Sequence, residues 1–77
     1  MKMIRDILPY FESELTQFYS KKETQNLAFW CIHSISNLSR SEYLLSSNSP
    51  LSADTVSFYQ SVVSRLQKFE PLQYILG

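Results

Sequence analysis

The sequence predicts an all-α domain, a small bundle of four helices with a short helical stub at its C-terminus, and three observations carry that prediction. Glycine occurs once in 77 residues, at the last position, and proline three times, so the tight turns that closely spaced hairpins need are not encoded. Apolar residues recur at spacings of three and four through most of the chain, the period of a one-sided helix. Two Ser-x-x-Glu sequences, Ser20 to Glu23 and Ser39 to Glu42, have the capping-box form, in which hydroxyl and carboxylate each satisfy an otherwise orphaned backbone amide at a helix start.

The first segment sets Ile4, Ile7, Leu8, Phe11, Leu15 and Phe18 on one helical face. Pro9 is harmless there if Asp6 caps a helix whose first turn contains it, and otherwise kinks a longer helix starting near Met3. A second helix runs from the Ser20 box to about Leu38, with Leu27, Ala28, Cys31, Ile32, Ile35 and Leu38 inward and Phe29 and Trp30 flanking that stripe. So wide an apolar arc suits a central helix. The Ser39 box restarts the chain as a short helix carrying Tyr43, Leu44 and Leu45, ended by the Ser46 to Ser49 stretch. Asn48-Ser49-Pro50 is turn-like, and Ser52 with Asp54 begins a fourth helix that sets Val56, Tyr59, Val62, Val63, Leu66 and Phe69 on one face and stops at Pro71. Pro71 also suits the first position of a stub, Leu72 to Leu76, closed by Gly77.

A 77-residue chain can build one core and no second domain, and five Phe, five Tyr and one Trp supply the dense packing so short a chain needs. Seven basic against seven acidic residues give no field for nucleic acid or an anionic membrane. The longest apolar run, Leu27 to Ile32, falls far short of the roughly 20 residues that span a bilayer, and Lys2, Arg5 and Asp6 do not make a secretory signal. A soluble cytoplasmic protein is the expectation, and Asn37-Leu38-Ser39 is then not read as a glycosylation site. The lone Cys31 cannot form an intramolecular disulfide, and with His33 it makes no zinc motif.

No catalytic constellation emerges. Cys31 and His33 point about 160° apart on a helix, so they form no nucleophile–base pair; Cys31 reads as a small buried hydrophobe and His33 as solvated. Glu12 and Glu14 lie on different faces, and no glycine-rich loop can cradle a phosphate or a methyl donor. Trp30 and Tyr59 are assigned to the core, and Lys21 and Lys22 to the solvated surface.

The C-terminal stretch Glu70-Pro71-Leu72-Gln73-Tyr74-Ile75-Leu76-Gly77 is unusual for a generic helix end. It resembles the Glu-Pro-x-x-Tyr-x-x-Gly segment that closes the N-terminal helical domain of the HemK or PrmC family, the protein-glutamine N5-methyltransferases of peptide chain release factors. Leu38-Ser39-Arg40-Ser41-Glu42-Tyr43-Leu44-Leu45 is similar to that family's Ser-Arg followed by an acidic residue and leucines. The chain departs from the family at Glu23-Thr24-Gln25, where members often carry an acidic-Ala-acidic triplet, and at Arg65-Leu66-Gln67-Lys68, where paired arginines often precede Glu-Pro.

The resemblance implies that residues 1–77 are a substrate-recognition domain, without catalytic, cofactor or metal residues of its own. A separate α/β domain would bind S-adenosylmethionine and, through Asn-Pro-Pro-Tyr, hold the Gln of a release factor's Gly-Gly-Gln loop. The implied partners are that release factor and the enzyme's own catalytic domain. Glu70, Pro71, Tyr74 and Gly77 would shape the exit toward the hinge, Arg65 could brace it by pairing with Glu70, and the surface around Arg40 and the Ser46 to Pro50 loop could face the release factor. A reading of another class is a free-standing helical adaptor, and the apolar ending Tyr74-Ile75-Leu76-Gly77 favours a domain boundary over a frayed tail. That ending is expected either to pack back on the bundle or to fray.

Overall fold

Three helix starts are fixed by a serine that satisfies a backbone amide locally, and the computed structural model, which describes residues 1–45 and 48–77, places the elements as follows. They are a 3-10 turn at Ile4–Asp6 followed by α1 (Ile7–Leu15), α2 (Lys21–Ser36), α3 (Arg40–Leu45), α4 (Ala53–Leu66) and α5 (Leu72–Leu76). Among the described residues there is no strand, only an isolated bridge between Met3 and Pro50 that ties the N-terminus to the segment before α4.

Asp6 occupies the position before α1, so Pro9 falls in the first turn, where its missing N–H would have had no helical partner. The Asp6 carboxylate turns backward instead of capping α1, accepting from the Lys2 and Met3 amides at 3.0 and 2.9 Å, bonds that hold its pKa below the usual carboxylate value. The cap of α1 comes from far along the chain. The Tyr43 hydroxyl accepts from the Leu8 amide at 3.2 Å and donates to the Arg5 carbonyl at 3.0 Å.

Both Ser-x-x-Glu boxes form. Ser20 Oγ accepts from the Glu23 amide and Glu23 Oε1 from the Ser20 amide, at 3.1 and 3.3 Å; the Ser39 and Glu42 pair does the same at 3.1 and 2.9 Å. The second helix ends at Ser36, before the expected Leu38, because Asn37 adopts the left-handed conformation (φ 57°) that a short polar side chain tolerates. Ser52 Oγ accepts from the Thr55 amide to start α4. Of the stretch expected to end α3, Ser46 and Ser47 lie outside the described residues.

The core gathers Ile7, Phe11 and Leu15 of α1, Ala28, Cys31 and Ile32 of α2, Tyr43, the α4 stripe Tyr59, Val62, Val63 and Leu66, and Leu72 and Ile75 of α5. Tyr59 stands at its centre, edge-on to Phe11 with ring centroids 6.2 Å apart, its hydroxyl 2.7 Å from Ser36 Oγ. Burial pushes its phenol up to about 12, and that of the Cys31 thiol also to about 12, which makes Cys31 inert packing.

Several sequence expectations are corrected. Phe18 lies beyond α1 and Phe69 beyond α4, both exposed, because each helix ends two residues or more before them. The fourth helix stops at Leu66, well before Pro71, and Pro71 takes the cap position of α5 and not its first helical position. Trp30 is not core: 47% of it is exposed. Leu44 and Leu45 are exposed as well, leaving Tyr43 as the only buried residue of α3. Thr24, in contrast, is fully buried, and its hydroxyl has no partner among the described residues.

Two stability outcomes follow from these polar atoms. Tyr43→Phe, which strands the Leu8 amide, is expected to lower unfolding free energy by about 1–2 kcal/mol with an unchanged denaturant slope in urea melts. Thr24→Val, which keeps the shape while removing a buried hydroxyl without a partner among the described residues, is expected to gain on the order of 1 kcal/mol; a loss would show that the hydroxyl is satisfied in solution.

Candidate functional site

The turn between α4 and α5 is built by a Schellman arrangement. The Glu70 amide donates to the Arg65 carbonyl at 3.3 Å and the Phe69 amide to the Leu66 carbonyl at 2.9 Å, with Phe69 in the left-handed position at φ 61°. Glycine ordinarily fills that position, since a side chain there costs roughly 1–2 kcal/mol. Phe69 is held by aromatic contacts instead, edge-on to Phe18 at 5.9 Å and tilted against Tyr19 at 5.5 Å.

Such turns usually carry an apolar contact across the closing residues. Here an ion pair takes its place. Arg65 Nε and Nη2 both donate to Glu70 Oε1, at 3.0 and 2.9 Å. The guanidinium holds the Glu70 carboxyl below its ordinary value, and Glu70 raises Arg65. Pro71 then supplies an extended residue (ψ 134°) before α5, and its carbonyl accepts from the Tyr74 and Ile75 amides. The tail packs back: Ile75 is buried, Tyr74 is 72% exposed, and Gly77 takes φ 95°.

Phe69 links this turn to a second feature. Tyr19, whose hydroxyl donates to the Leu66 carbonyl at 2.8 Å, joins Glu23, Asn26, Leu27 and Trp30 in lining a surface groove of about 240 Å³. Burial and the nearby Glu23 carboxylate push the Tyr19 phenol above its usual value. Glu23, Asn26 or Leu27, and Trp30 recur at helical spacing, so α2 supplies one wall of the groove.

Arg40 borders the groove without entering the C-terminal turn. Its Nη2 donates to Asn26 Oδ1 at 3.1 Å and its guanidinium lies 4.4 Å from the centre of the Phe29 ring, which itself packs edge-on against Tyr43. The fold therefore pairs Arg65 with Glu70, joins Pro71 to Tyr74 by a backbone bond, leaves Gly77 as the residue after α5 and sets Arg40 on the α2–α3 side. Sequence reasoning did not single out Tyr19, set Phe69 on the face of the fourth helix and assigned Trp30 to the core. The signal for Trp30 was present: it stands four residues after Asn26 and three before His33, on the polar face of α2. Among the described residues no group of three or more His, Cys, Asp or Glu can hold a metal, and no helix is long and apolar enough to cross a membrane.

A family model described as the PrmC N-terminal domain matches residues 6–77. The chain belongs to that family. The match runs through every helix from α1 to α5, residues 70–77 included, so the turn just described is part of what the PrmC N-terminal domain comprises. No curated protein and no solved structure matches the chain.

The ion pair of this PrmC N-terminal domain has a measurable signature. Because the Glu70 carboxyl is lowered in the folded state, its contribution to stability is present above the ordinary carboxylate pKa and lost as pH falls through the lowered folded value. Glu70→Gln is therefore expected to melt below the parent at neutral pH and low salt, the gap closing on acidification and shrinking in high salt. A gap independent of pH would assign the effect to packing of the turn.

Proposed function

We propose that this domain is the release-factor-recognition part of an S-adenosylmethionine-dependent protein-glutamine N5-methyltransferase, acting in the cytoplasm on the Gln of the Gly-Gly-Gln motif, and is itself non-catalytic. The observation that carries the reading is the family match over residues 6–77. The Glu-Pro-x-x-Tyr-x-x-Gly exit, braced by Arg65 and Glu70 and aimed by Pro71, supports it as a junction toward a catalytic domain in the parent protein.

S-adenosylmethionine belongs, in this reading, to the other domain. The residues here do not fit it: the one glycine is terminal, with open space where a Cβ would stand, and the groove is smaller than the roughly 300–1,000 Å³ of small-molecule sites. The domain contributes by tethering. A modest contact with the release factor raises the effective concentration of the Gly-Gly-Gln loop at the methyl donor without needing strong affinity of its own. The exposed Arg40, held over Phe29, is the residue assigned to that contact. The loop named with it, from Ser46 to Pro50, has Ser46 and Ser47 outside the described residues.

The test compares the full-length parent with a form lacking residues 1–77, using labelled S-adenosylmethionine. Deletion is expected to raise KM for a folded release factor by on the order of tenfold while leaving methylation of a short Gly-Gly-Gln peptide unchanged. Arg40→Ala in the full-length protein is expected to raise the same KM by about threefold at unchanged kcat. Equal activity of the two forms on the folded factor would sink the recognition reading. A reading frame that stops at Gly77 would replace it with the free-standing adaptor.

A further inference from the structure

We propose that the groove lined by Tyr19, Glu23, Asn26, Leu27 and Trp30 seats a single arginine side chain from a partner protein, its guanidinium against the aromatic faces and its charge answered by Glu23. The inference concerns the chemistry of the groove and holds whichever protein carries the arginine, so it stands apart from the release-factor reading.

Charge complementarity sets the sign of the occupant. Glu23 is the one charged residue of the lining, and the two aromatic rings present negative faces that attract cations. The capping bond engages Glu23 Oε1 at 3.3 Å, so the other carboxylate oxygen is not needed for the helix start. Size sets the scale: about 240 Å³ suits one long side chain rather than a cofactor.

Arginine fits better than lysine because a planar guanidinium can stack on a ring while its edge donates to a carboxylate, whereas an ammonium is a compact, strongly hydrated charge. The domain already uses this chemistry on the same helix, where Arg40 stacks 4.4 Å from the Phe29 centroid and donates to Asn26. Arg40 also places a like charge at the Asn26 border. The incoming guanidinium therefore lies on the Glu23 side, between Tyr19 and Trp30.

Trp30 is the only tryptophan in the chain, so its indole N–H resonance and fluorescence report on the groove directly. The domain is titrated at low ionic strength with N-acetylarginine methylamide and, separately, with N-acetylcitrulline methylamide, a neutral molecule of nearly the same shape. The expected result is a saturable indole shift with at least about threefold tighter apparent binding of the arginine probe. Glu23→Gln keeps the capping box, which glutamine also forms, and is expected to bring the arginine probe down to the citrulline level. Equal responses to the two probes, no indole response to either, or a preference that survives Glu23→Gln would each overturn the proposal.

Discussion

The Tyr59 ring is the constraint on which the rest of the domain depends. It is the largest fully buried side chain, it meets Phe11 of α1 edge-on, and its hydroxyl closes on Ser36 at the end of α2. One residue of α4 thus fixes two other helices, by an apolar contact and by a polar one whose loss would leave a buried hydroxyl unsatisfied. Cys31 packs in the same core and is kept neutral by burial, so its thiol serves volume and not chemistry.

A domain of 77 residues has too little interior for eleven aromatic rings, and where the surplus goes decides its surface. Phe18, Phe69, Tyr19 and Trp30 form a chain of half-exposed rings that runs from the α4–α5 turn to the groove on α2. The rings serve structure at one end of this chain, where Phe18 and Tyr19 hold Phe69 in a backbone conformation that glycine would adopt more readily. At the other end they meet a carboxylate and open space. The α4–α5 turn and the groove are therefore parts of one surface, joined through Tyr19 and Phe69.

The ion pair at the α4–α5 turn has a comparable double character. Arg65 and Glu70 close the turn where an apolar contact would ordinarily do so, yet both remain partly exposed and responsive to salt and pH. A helix end that must lead the chain into a second short helix through proline gains orientation from such a pair more than stability.

Helix starts were legible in the sequence because caps are local: Ser20, Ser39 and Ser52 each bond an amide three residues on, and no distant residue is needed to see it. The stub from Leu72 to Leu76 and the Arg65–Glu70 pairing were legible for the same reason. The cap of α1 was not, since Tyr43 reaches the Leu8 amide across 35 positions of sequence. Periodicity likewise could not tell which apolar residues would be covered, for a helical face is buried only where another helix lies against it. Thr24 was covered and Trp30, Phe69 and Phe18 were not. Sequence by itself determined where the helices capped by Ser20, Ser39 and Ser52 begin and which family the ending resembles; the tertiary structure decided which aromatics face water, because burial depends on neighbours brought from elsewhere in the chain.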